Sequence, residues 1–503
     1  MNSINSAYET FSPSDSLQME PDESGAITEA LRRARSAQRA WHALTVRERL
    51  AVLRRFRGML AVQADSLCRC MNLPNRSPKD TIVAEILPLA DACRFLESNA
   101  ARILRPRREK DHDRPWWLGA VRVEIRREPR GVVLIIAPRN YPLFLPGVQT
   151  LQALTAGNAV LWKPAPGGSQ VAIRYAELLA EAGLPSDLLH ILPEAPEAAR
   201  AAMRSDVDLV VLTGSAETGR LVLYQAADTL TPAVMELSGC DAVFVREDAD
   251  IDLVVQSLVF GLRFNGSATC IAPRRVFAAR SCYSALCRGL TEAASQLPPI
   301  VVDSRIRSRV VGLARAALAG GARLLHGDLD AQSGPGMTPL VLADARPEME
   351  ILNSDIFAPV LCLVPVDGDD QSIAAADVCP YALGAAVFGK REGAESLARR
   401  LNVGCVVVND LIVPTADPRV PFAPRRRSGF GVTRGAEGLL EMTVVKAVST
   451  RTRGPRRHLE PAGPQDLRII RSLLEISHGP TLGRRIRAGF LFAASILRRV
   501  WRE

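Results

Sequence analysis

Apolar residues recur at spacings of three and four from Ser24 to about Leu104, which is the period of an amphipathic helix. The next segment, WWLGAVRVEIRREPR, alternates apolar and polar residues and predicts a ribbon of two strands. The chain is therefore expected to begin with helices and then to change to extended structure.

From about residue 131 the chain consists of short apolar runs, with helical segments such as 168–183 and 217–227 between several of them. Strand, loop and helix repeated in this order are typical of a parallel, doubly wound sheet. The predicted strands are GVVLIIAP (131–138), NAVLWKP (158–164), LLHILP (188–193), DLVVLTG (208–214), AVMEL (233–237) and DAVFV (241–245).

A second series of similar size ends at VGCVVVND (403–410). Its other strands are RRVFAA, ARLLHG, TPLVLADA, APVLCLVPV and LGAAVFG. The predicted fold class is α/β, with two doubly wound parallel-sheet domains that join near residues 238–262. A loop at such a junction is where a cleft is expected.

The composition describes a globular chain with a separate basic tail. The 503 residues are 47% hydrophobic, and this length favours two large domains over a single core. The net charge is +9, but residues 449–503 alone hold 12 arginines against four acidic residues. The rest of the chain is therefore close to neutral, and we expect it to bind no nucleic acid.

The ten cysteines show no CxxC spacing, and the six histidines form no HExxH motif. The sequence thus predicts no metal site. The polar N-terminus lacks the apolar core of a signal peptide, and no window holds the roughly 18 apolar residues that a membrane span needs. We expect reduced thiols and a cytoplasmic protein.

Two loops carry candidate chemistry. In FNGSATC, small residues surround Cys270 and leave room around its sulfur, as a nucleophile requires. In TGSAETG, Gly214 permits a tight turn and Ser215 offers a hydroxyl at a helix N-terminus, where an anion can bind. The GxGxxG motif of many dinucleotide-binding proteins does not occur.

Seven blocks occur in an order that resembles the aldehyde dehydrogenase superfamily over roughly residues 25–448. They are GVVLIIAPRNYPL, NAVLWKPAP, LTGSAETGR, MELSGCDAVFV, FNGSATC, NSDIFAPVL and VPFAPRRRSGFGVTRGAEGLLEMT. The resemblance implies NAD(P)-dependent oxidation of an aldehyde to a carboxylic acid. It also implies that Cys270 attacks the carbonyl, Asn140 stabilises the oxyanion and Glu236 activates the water that hydrolyses the thioester.

The resemblance further implies a site for NAD or NADP. The residues that it places there are Lys163, Gly214, Ser215, Leu237, Asp355 and Phe357. Many relatives have a glutamate three residues after the lysine, which binds the adenosine ribose and repels a 2′-phosphate, and here that residue is Pro166. The choice between the two cofactors stays open, with a slight preference for NAD.

The chain departs from the family pattern around the chemistry. Arg139 stands beside Asn140 in place of a tryptophan, and Cys240 replaces a lysine four residues after Glu236. These changes bear on the rate and the substrate more than on the reaction. Two alternatives remain: an acylating or semialdehyde dehydrogenase of the same family, in which the glutamate is often missing, and a scaffold that has lost catalysis.

The family's organisation divides the chain into four parts. They are a cofactor-binding domain (1–105 and 127–238), oligomerisation strands (106–126 and 441–450), a catalytic domain (239–440) and a basic tail (451–503). Family members exchange these strands between subunits, and an isolated ribbon is only marginally stable. We therefore expect a homodimer or a larger homo-oligomer.

The tail predicts two helices, over 465–478 and 481–502. The apolar side of the second holds Leu482, Ile486, Phe490, Ala493, Leu497, Val500 and Trp501. Arginines gather on the other side, a pattern that suits the surface of an anionic membrane. A helix that caps a neighbouring subunit is the alternative. Peripheral membrane contact would favour an apolar substrate, such as a fatty or isoprenoid aldehyde.

Overall fold

The computed structural model describes residues 21–71, 73–330, 335–454, 456–459, 461, 463 and 466–500. The chain divides into two compact units. The first consists of Met1–Leu104 and Glu128–Val444, and the second consists of Arg105–Arg127 and Val445–Glu503. The predicted tail lies in the second unit, whereas the predicted boundary near residue 238 lies within the first and stays a prediction.

The first unit begins with helices, as the apolar spacing predicted. They are Pro21–Ala43, Val46–Val62, Ala64–Cys70, Pro78–Thr81 and Leu87–Ile103, with a π-helical turn at Ile82–Ile86. A capping box begins the second helix, because Thr45 and Glu48 each accept a hydrogen bond from the other's backbone N–H. These helices pack against the first sheet, where Phe56, Trp162 and Tyr175 are fully buried.

The first sheet has six strands. In spatial order they are Gly429–Phe430, Ala233–Glu236, Leu209–Thr213, Val132–Ile136, Ala159–Lys163 and Leu189–Ile191. All pairs are parallel except the one that Gly429–Phe430 makes. The helices that follow these strands are Phe144–Ala156, Ser169–Glu181, Pro196–Arg204 and Ala216–Thr229. The prediction of a doubly wound parallel sheet is confirmed.

The order of the strands in the first sheet indicates where a cleft lies. The chain moves from Val132–Ile136 towards one edge of the sheet and then returns to Leu209–Thr213 on its other side. Ligands bind at the carboxyl ends of the strands beside such a switch point. Asn140 follows the first of these two strands, and Gly214 follows the second.

The second sheet has seven strands. In spatial order they are Arg323–His326, Leu340–Ala343, Val360–Val366, Pro273–Ala279, Asp241–Val245, Gly384–Phe388 and Cys405–Val408. Only the first pair is antiparallel. The helices around it are Ile251–Arg263, Arg280–Ser295, Ser304–Ala319, Gly368–Asp377 and Arg391–Arg400, whereas Gly435–Glu441 packs against helices of the first sheet. Two short antiparallel pairs complete the unit: Ile300–Val301 with Gly336–Met337, and Tyr381–Ala382 with Arg425–Arg426.

The second unit contains a three-stranded sheet, and it corrects the prediction of a two-stranded ribbon. The strands are Arg107–Arg108, Val121–Pro129 and Thr443–Arg451. Only the later part of WWLGAVRVEIRREPR is a strand, because Trp116–Leu118 forms a 3₁₀ turn. Gly119 follows that turn with a φ of 65°, a conformation that interrupts a strand.

The tail forms two helices, Asp466–His478 and Leu482–Val500, close to the predicted ranges. The predicted contribution of Trp501 lies outside the described residues. Among the residues described, no helix combines the length and the apolar character needed to cross a membrane.

Candidate active site

A cleft of about 660 Å³ in the first unit collects most of the predicted site. Its lining includes Asn140, Gly214, Ser215, Glu236, Leu237, Cys270, Asp355 and Phe357. Lys163 is the one predicted residue that does not line this cleft in the described part of the chain. Its strand pairs with Val132–Ile136, and Lys163 is buried at the end of that pair.

Cys270 lies in the loop between helix Ile251–Arg263 and strand Pro273–Ala279. Before it, Asn265, Gly266 and Ser267 have φ values of 52°, 59° and 61°. A Cβ on Gly266 would lie 2.4 Å from the side chain of Asn75, so this position requires glycine. The loop therefore takes a left-handed path that delivers the half-buried Cys270 to the cleft.

The side-chain amide of Asn140 is fixed towards the same loop. Its Nδ2 donates a hydrogen bond to the carbonyl oxygen of Ala268 at 2.8 Å. An amide nitrogen carries two hydrogens, so this bond uses one and leaves the other for a ligand. Asn140 is thereby a candidate donor to an oxyanion formed at Cys270.

Glu236 ends strand Ala233–Glu236 and is 3% exposed. Thr433 Oγ1 donates to its carboxylate at 3.1 Å. Its backbone carbonyl accepts a hydrogen bond from the N–H of Gly214 at 3.0 Å, which ties the glutamate to the predicted phosphate turn. Burial raises the pKa of Glu236, while Arg434 and the hydroxyl of Thr433 oppose that rise. A raised pKa suits a general base.

The environment of Cys270 favours the neutral thiol. Burial raises the pKa of Cys270 well above its usual range, and the carboxylate of Glu236 adds to the rise. Arg434 acts in the opposite direction. The thiolate fraction at neutral pH is consequently small and grows as the pH rises.

The cleft offers polar groups that fit a nucleotide cofactor. Asp355 Oδ1 is buried and has no hydrogen-bond partner among the described residues, so it can accept a bond from a ribose hydroxyl. Ser215 caps the helix Ala216–Thr229 by accepting from the N–H of Thr218 at 3.1 Å. The positive end of that helix faces the turn at Gly214, where a phosphate would be stabilised.

The sequence did not predict two residues that act on Glu236. Thr433 donates to Glu236, and the next residue, Arg434, is a cation that is 6% exposed. The guanidinium of Arg434 lies 4.6 Å from the ring centre of Phe422. Nothing in the sequence distinguishes Arg434 from the neighbouring arginines of the same block, because its burial depends on distant parts of the chain.

Other polar clusters add little to the site. The described residues contain no group of three or more His, Cys, Asp or Glu side chains able to hold a metal ion. Cys240, the thiol that replaces a lysine of the family, is buried and donates to the carbonyl of Leu352 at 3.5 Å. This contact supports a packing role for Cys240.

The amino-acid sequence is similar to those of known proteins. The model of the aldehyde dehydrogenase family matches residues 5–448. A 4,4′-diapolycopene aldehyde oxidase of Methylomonas sp is 30% identical over 442 residues, 86% of this chain and 83% of that protein. A geranial dehydrogenase of Castellaniella defragrans is 31% identical over 428 residues, 82% of this chain and 87% of its own.

Solved structures share the fold. The NADP-dependent glyceraldehyde-3-phosphate dehydrogenase of Bacillus halodurans C-125, complexed with NADP, superposes with a TM-score of 0.77. The two chains are 26% identical, and the match covers 86% of this chain and 92% of that one. The two-sheet architecture is therefore that of a structurally characterised family.

Proposed function

The chain belongs to the aldehyde dehydrogenase family, and we propose that it oxidises an apolar aldehyde to the carboxylic acid through a thioester on Cys270. The observation that carries this proposal is the meeting of Cys270, Asn140 and Glu236 in one cleft. Membership of this family identifies the chain as an NAD(P)-dependent enzyme. The catalytic roles of the three residues are part of the proposal. The overall reaction converts aldehyde, NAD(P)⁺ and water into acid, NAD(P)H and a proton.

The first step uses the small ionised fraction of Cys270: its thiolate forms a bond to the carbonyl carbon, and the carbonyl oxygen becomes an oxyanion. The free N–H of Asn140 and the backbone N–H of Cys270 would donate to that oxygen. One such donor is typically worth about 3 kcal/mol in the transition state. Asp355, Ser215 and the turn at Gly214 would hold NAD or NADP, which when bound supplies the acceptor for the hydride.

The second half of the reaction falls to Glu236. The thioester left on Cys270 must be hydrolysed, and a carboxylate with a raised pKa can take a proton from the attacking water. The carbon–sulfur bond then breaks, the acid leaves and the thiolate returns. Burial of Glu236 beside Thr433 supports hydrolysis over transfer of the acyl group to another acceptor.

We favour an apolar substrate because most of the surface that lines the cleft is apolar. Apart from Leu237 and Phe357, which are assigned to the cofactor, its apolar lining residues are Leu73, Pro74, Pro138, Leu145, Ala268, Val301, Val302, Ile306 and Pro335. The names of the two relatives refer to 4,4′-diapolycopene aldehyde and geranial, which are isoprenoid aldehydes. Both observations support the same class of substrate.

We favour NAD over NADP on electrostatic grounds. Glu194 accepts hydrogen bonds from the N–H groups of Gly167 and Ser169 at 2.9 and 2.8 Å, next to Pro166. The pKa of Glu194 is lowered by these bonds, so its negative charge is retained. A carboxylate beside Pro166 would repel a 2′-phosphate in the region where relatives carry a glutamate.

The experiment is an absorbance assay of NAD(P)H formation with geranial and with glycolaldehyde, each supplied with NAD and with NADP. We expect kcat/KM for geranial to exceed that for glycolaldehyde by about 60-fold, as burial of about three methylene groups at roughly 0.8 kcal/mol each implies. Failure to form NAD(P)H with any aldehyde would reject the enzymatic function. A preference for glycolaldehyde would reject only the apolar substrate, and a preference for NADP only the choice of cofactor.

We propose a homo-oligomer on the basis of the second unit. Strand Thr443–Arg451 lies at the edge of the three-stranded sheet, and Val444 and Val445 are 40% and 57% exposed. A long edge strand is a template for pairing with another chain. We expect sedimentation equilibrium at micromolar concentration to give a dimer or larger species. A monomer under those conditions would contradict the proposal.

We also propose that the tail binds an anionic membrane surface. The exposed large apolar side chains of its two helices are Leu467, Ile470, Leu474, Leu482, Ile486, Phe490, Leu491 and Leu497. The side chains that the two helices bury are small, and the large apolar side chains remain exposed to solvent. The small buried residues are Ser472, Ala488 and Ser495. Exposed arginines accompany them: Arg468, Arg471, Arg484 and Arg487. Each arginine near an anionic surface adds roughly 1 kcal/mol of attraction.

Two exposed tryptophans lie in the same unit, and one of them contacts the tail helices. Trp116 and Trp117 are 53% and 55% exposed. Trp116 donates to Ser477 at 3.0 Å, and its ring packs edge-on against Phe492 at 6.2 Å. Tryptophan is favoured at the interface between lipid and water, so its presence beside the helices supports a bilayer over a second subunit as the partner.

The test is flotation with phosphatidylglycerol vesicles, with phosphatidylcholine vesicles as the charge control. We compare the full chain with one that ends at Gly454, beyond strand Thr443–Arg451, and with Phe490→Ser, which changes a side chain that is 74% exposed. We expect the full chain to float with the anionic vesicles, the shortened chain to remain at the bottom and Phe490→Ser to float less. Equal flotation of all three, or none by the full chain, would contradict the membrane role.

A further inference from the structure

A buried ion pair lies outside the lining of the cleft and has no role in the proposed mechanism. Arg76 and Glu85 form a hydrogen-bonded pair whose side chains are 1% and 0% exposed. Glu85 also accepts the backbone N–H of Phe144 at 2.7 Å and that of Leu143 at 3.2 Å. The pair is thus anchored to the start of helix Phe144–Ala156, which follows Asn140 in the chain.

The other nitrogens of Arg76 contact the two loops that carry the proposed chemistry. Nη2 donates to the backbone carbonyl of Asn140 at 2.8 Å, and Nε donates to the side-chain oxygen of Asn265 at 2.9 Å. The guanidinium also lies 5.0 Å from the ring centre of Tyr141. One planar group therefore connects the Asn140 loop to the Cys270 loop.

The two loops are also bonded to each other at the same point. Asn265 Nδ2 donates to the carbonyls of Asn140 and Ala268, each at 3.1 Å. Asn140 Nδ2 donates to the same carbonyl of Ala268 at 2.8 Å. Ala268 precedes Cys270 by two residues, so the position of the thiol depends on these bonds.

The Cys270 loop needs such external bonds because its backbone is strained. Asn265 and Ser267 both have positive φ, a backbone conformation that is unfavourable for residues other than glycine. Arg274 holds one side of the loop by donating to Ser267 Oγ at 2.8 Å. Arg76, through Asn265, holds the other side.

We propose that Arg76 is a positioning residue, which holds the side-chain amide of Asn140 and the sulfur of Cys270 in the arrangement that the thiol addition requires. The inference rests on the proposed function, since it assigns the two loops their chemical roles. Arginine suits this task because its planar fork reaches Glu85, Asn140 and Asn265 at once, whereas the single ammonium of lysine does not reproduce that geometry.

The test is Arg76→Lys, which keeps a positive charge beside Glu85. We expect kcat per titrated Cys270 thiol to fall by about 30-fold, which is less than the roughly 10²- to 10³-fold loss on removing an oxyanion donor outright, because Arg76→Lys displaces the donor and does not remove it. KM for the aldehyde should change little, because Arg76 lies outside the lining of the cleft. The matched control is Arg57→Lys, which also pairs with a glutamate, Glu97, but on the outer helices. We expect it to retain the wild-type kcat.

A double-mutant comparison separates positioning from general destabilisation. Because part of the effect of Arg76 passes through the Asn140 amide, Arg76→Lys should lower kcat by about 10-fold or less in an Asn140→Ala background, and not by the full 30-fold. A full additional 30-fold loss in that background, or a wild-type kcat for Arg76→Lys alone, would overturn the proposal.

A second variant, Asn265→Asp, tests the proposal if Arg76→Lys does not fold. Asn265→Asp keeps the oxygen that accepts from Arg76 and loses the donor to Asn140 and Ala268. It should show the same fall in kcat per titrated thiol, and a wild-type rate would overturn the proposal. A wild-type protein that forms no NAD(P)H with any aldehyde rejects the function itself, so the two failures are distinguishable.

Discussion

Replacing Cys270 with alanine is expected to abolish aldehyde-dependent formation of NAD(P)H. The proposed mechanism has no other group that can bind the substrate carbon covalently, and loss of a nucleophile typically lowers kcat by on the order of 10⁴-fold or more. Cys270 is only half-buried, so its removal should leave the fold intact. The measurement is steady-state absorbance of NAD(P)H with geranial.

The matched control for this substitution is Cys68→Ala. Cys68 is also half-buried and its thiol also has a raised pKa because of burial, but it lies on helix Ala64–Cys70, outside the lining of the cleft. We expect Cys68→Ala to retain wild-type activity. Steady-state turnover by Cys270→Ala at the wild-type rate would show that this sulfur is not the nucleophile.

Glu236→Gln is expected to separate the two halves of the reaction. Formation of the thioester does not require the carboxylate, so the variant should release one rapid equivalent of NAD(P)H per active site. Hydrolysis does require a base, and steady-state turnover should fall by roughly 10²- to 10³-fold. Glutamine keeps the shape of the side chain and an oxygen that can accept from Thr433. Stopped-flow absorbance measures both phases.

The control for Glu236→Gln is Glu437→Gln, an exposed glutamate on helix Gly435–Glu441. This change removes the same charge from a nearby element without altering the cleft. We expect an unchanged steady state. A Glu236→Gln variant that turns over at the wild-type rate would contradict the assignment of the base.

The sheets were predictable because each strand is a local signal. A parallel strand that is covered on both faces is apolar throughout, as Val132–Ile136 is. The runs quoted for both series correspond to strands in the structure. The ordered blocks also placed Asn140, Glu236 and Cys270, which all line the cleft.

The supporting residues were not predictable for a physical reason. Arg76 is 189 residues from Asn265, and Glu236 is 197 residues from Thr433, so neither contact has a local pattern. The 3₁₀ turn at Trp116–Leu118 was missed for a different reason, since alternation alone does not show where a strand begins. Local pattern thus predicted residues that line the cleft, and tertiary packing determines what holds them.

The central claim is that an acyl group is held on Cys270 during turnover. The most direct measurement is peptide mass spectrometry of Glu236→Gln, quenched in acid immediately after mixing with geranial and NAD. The proposed mechanism predicts that the peptide containing Cys270 gains the mass of the geranoyl group in proportion to the NADH burst. A burst of NADH with Cys270 unmodified, or with the acyl group on another cysteine, would contradict it.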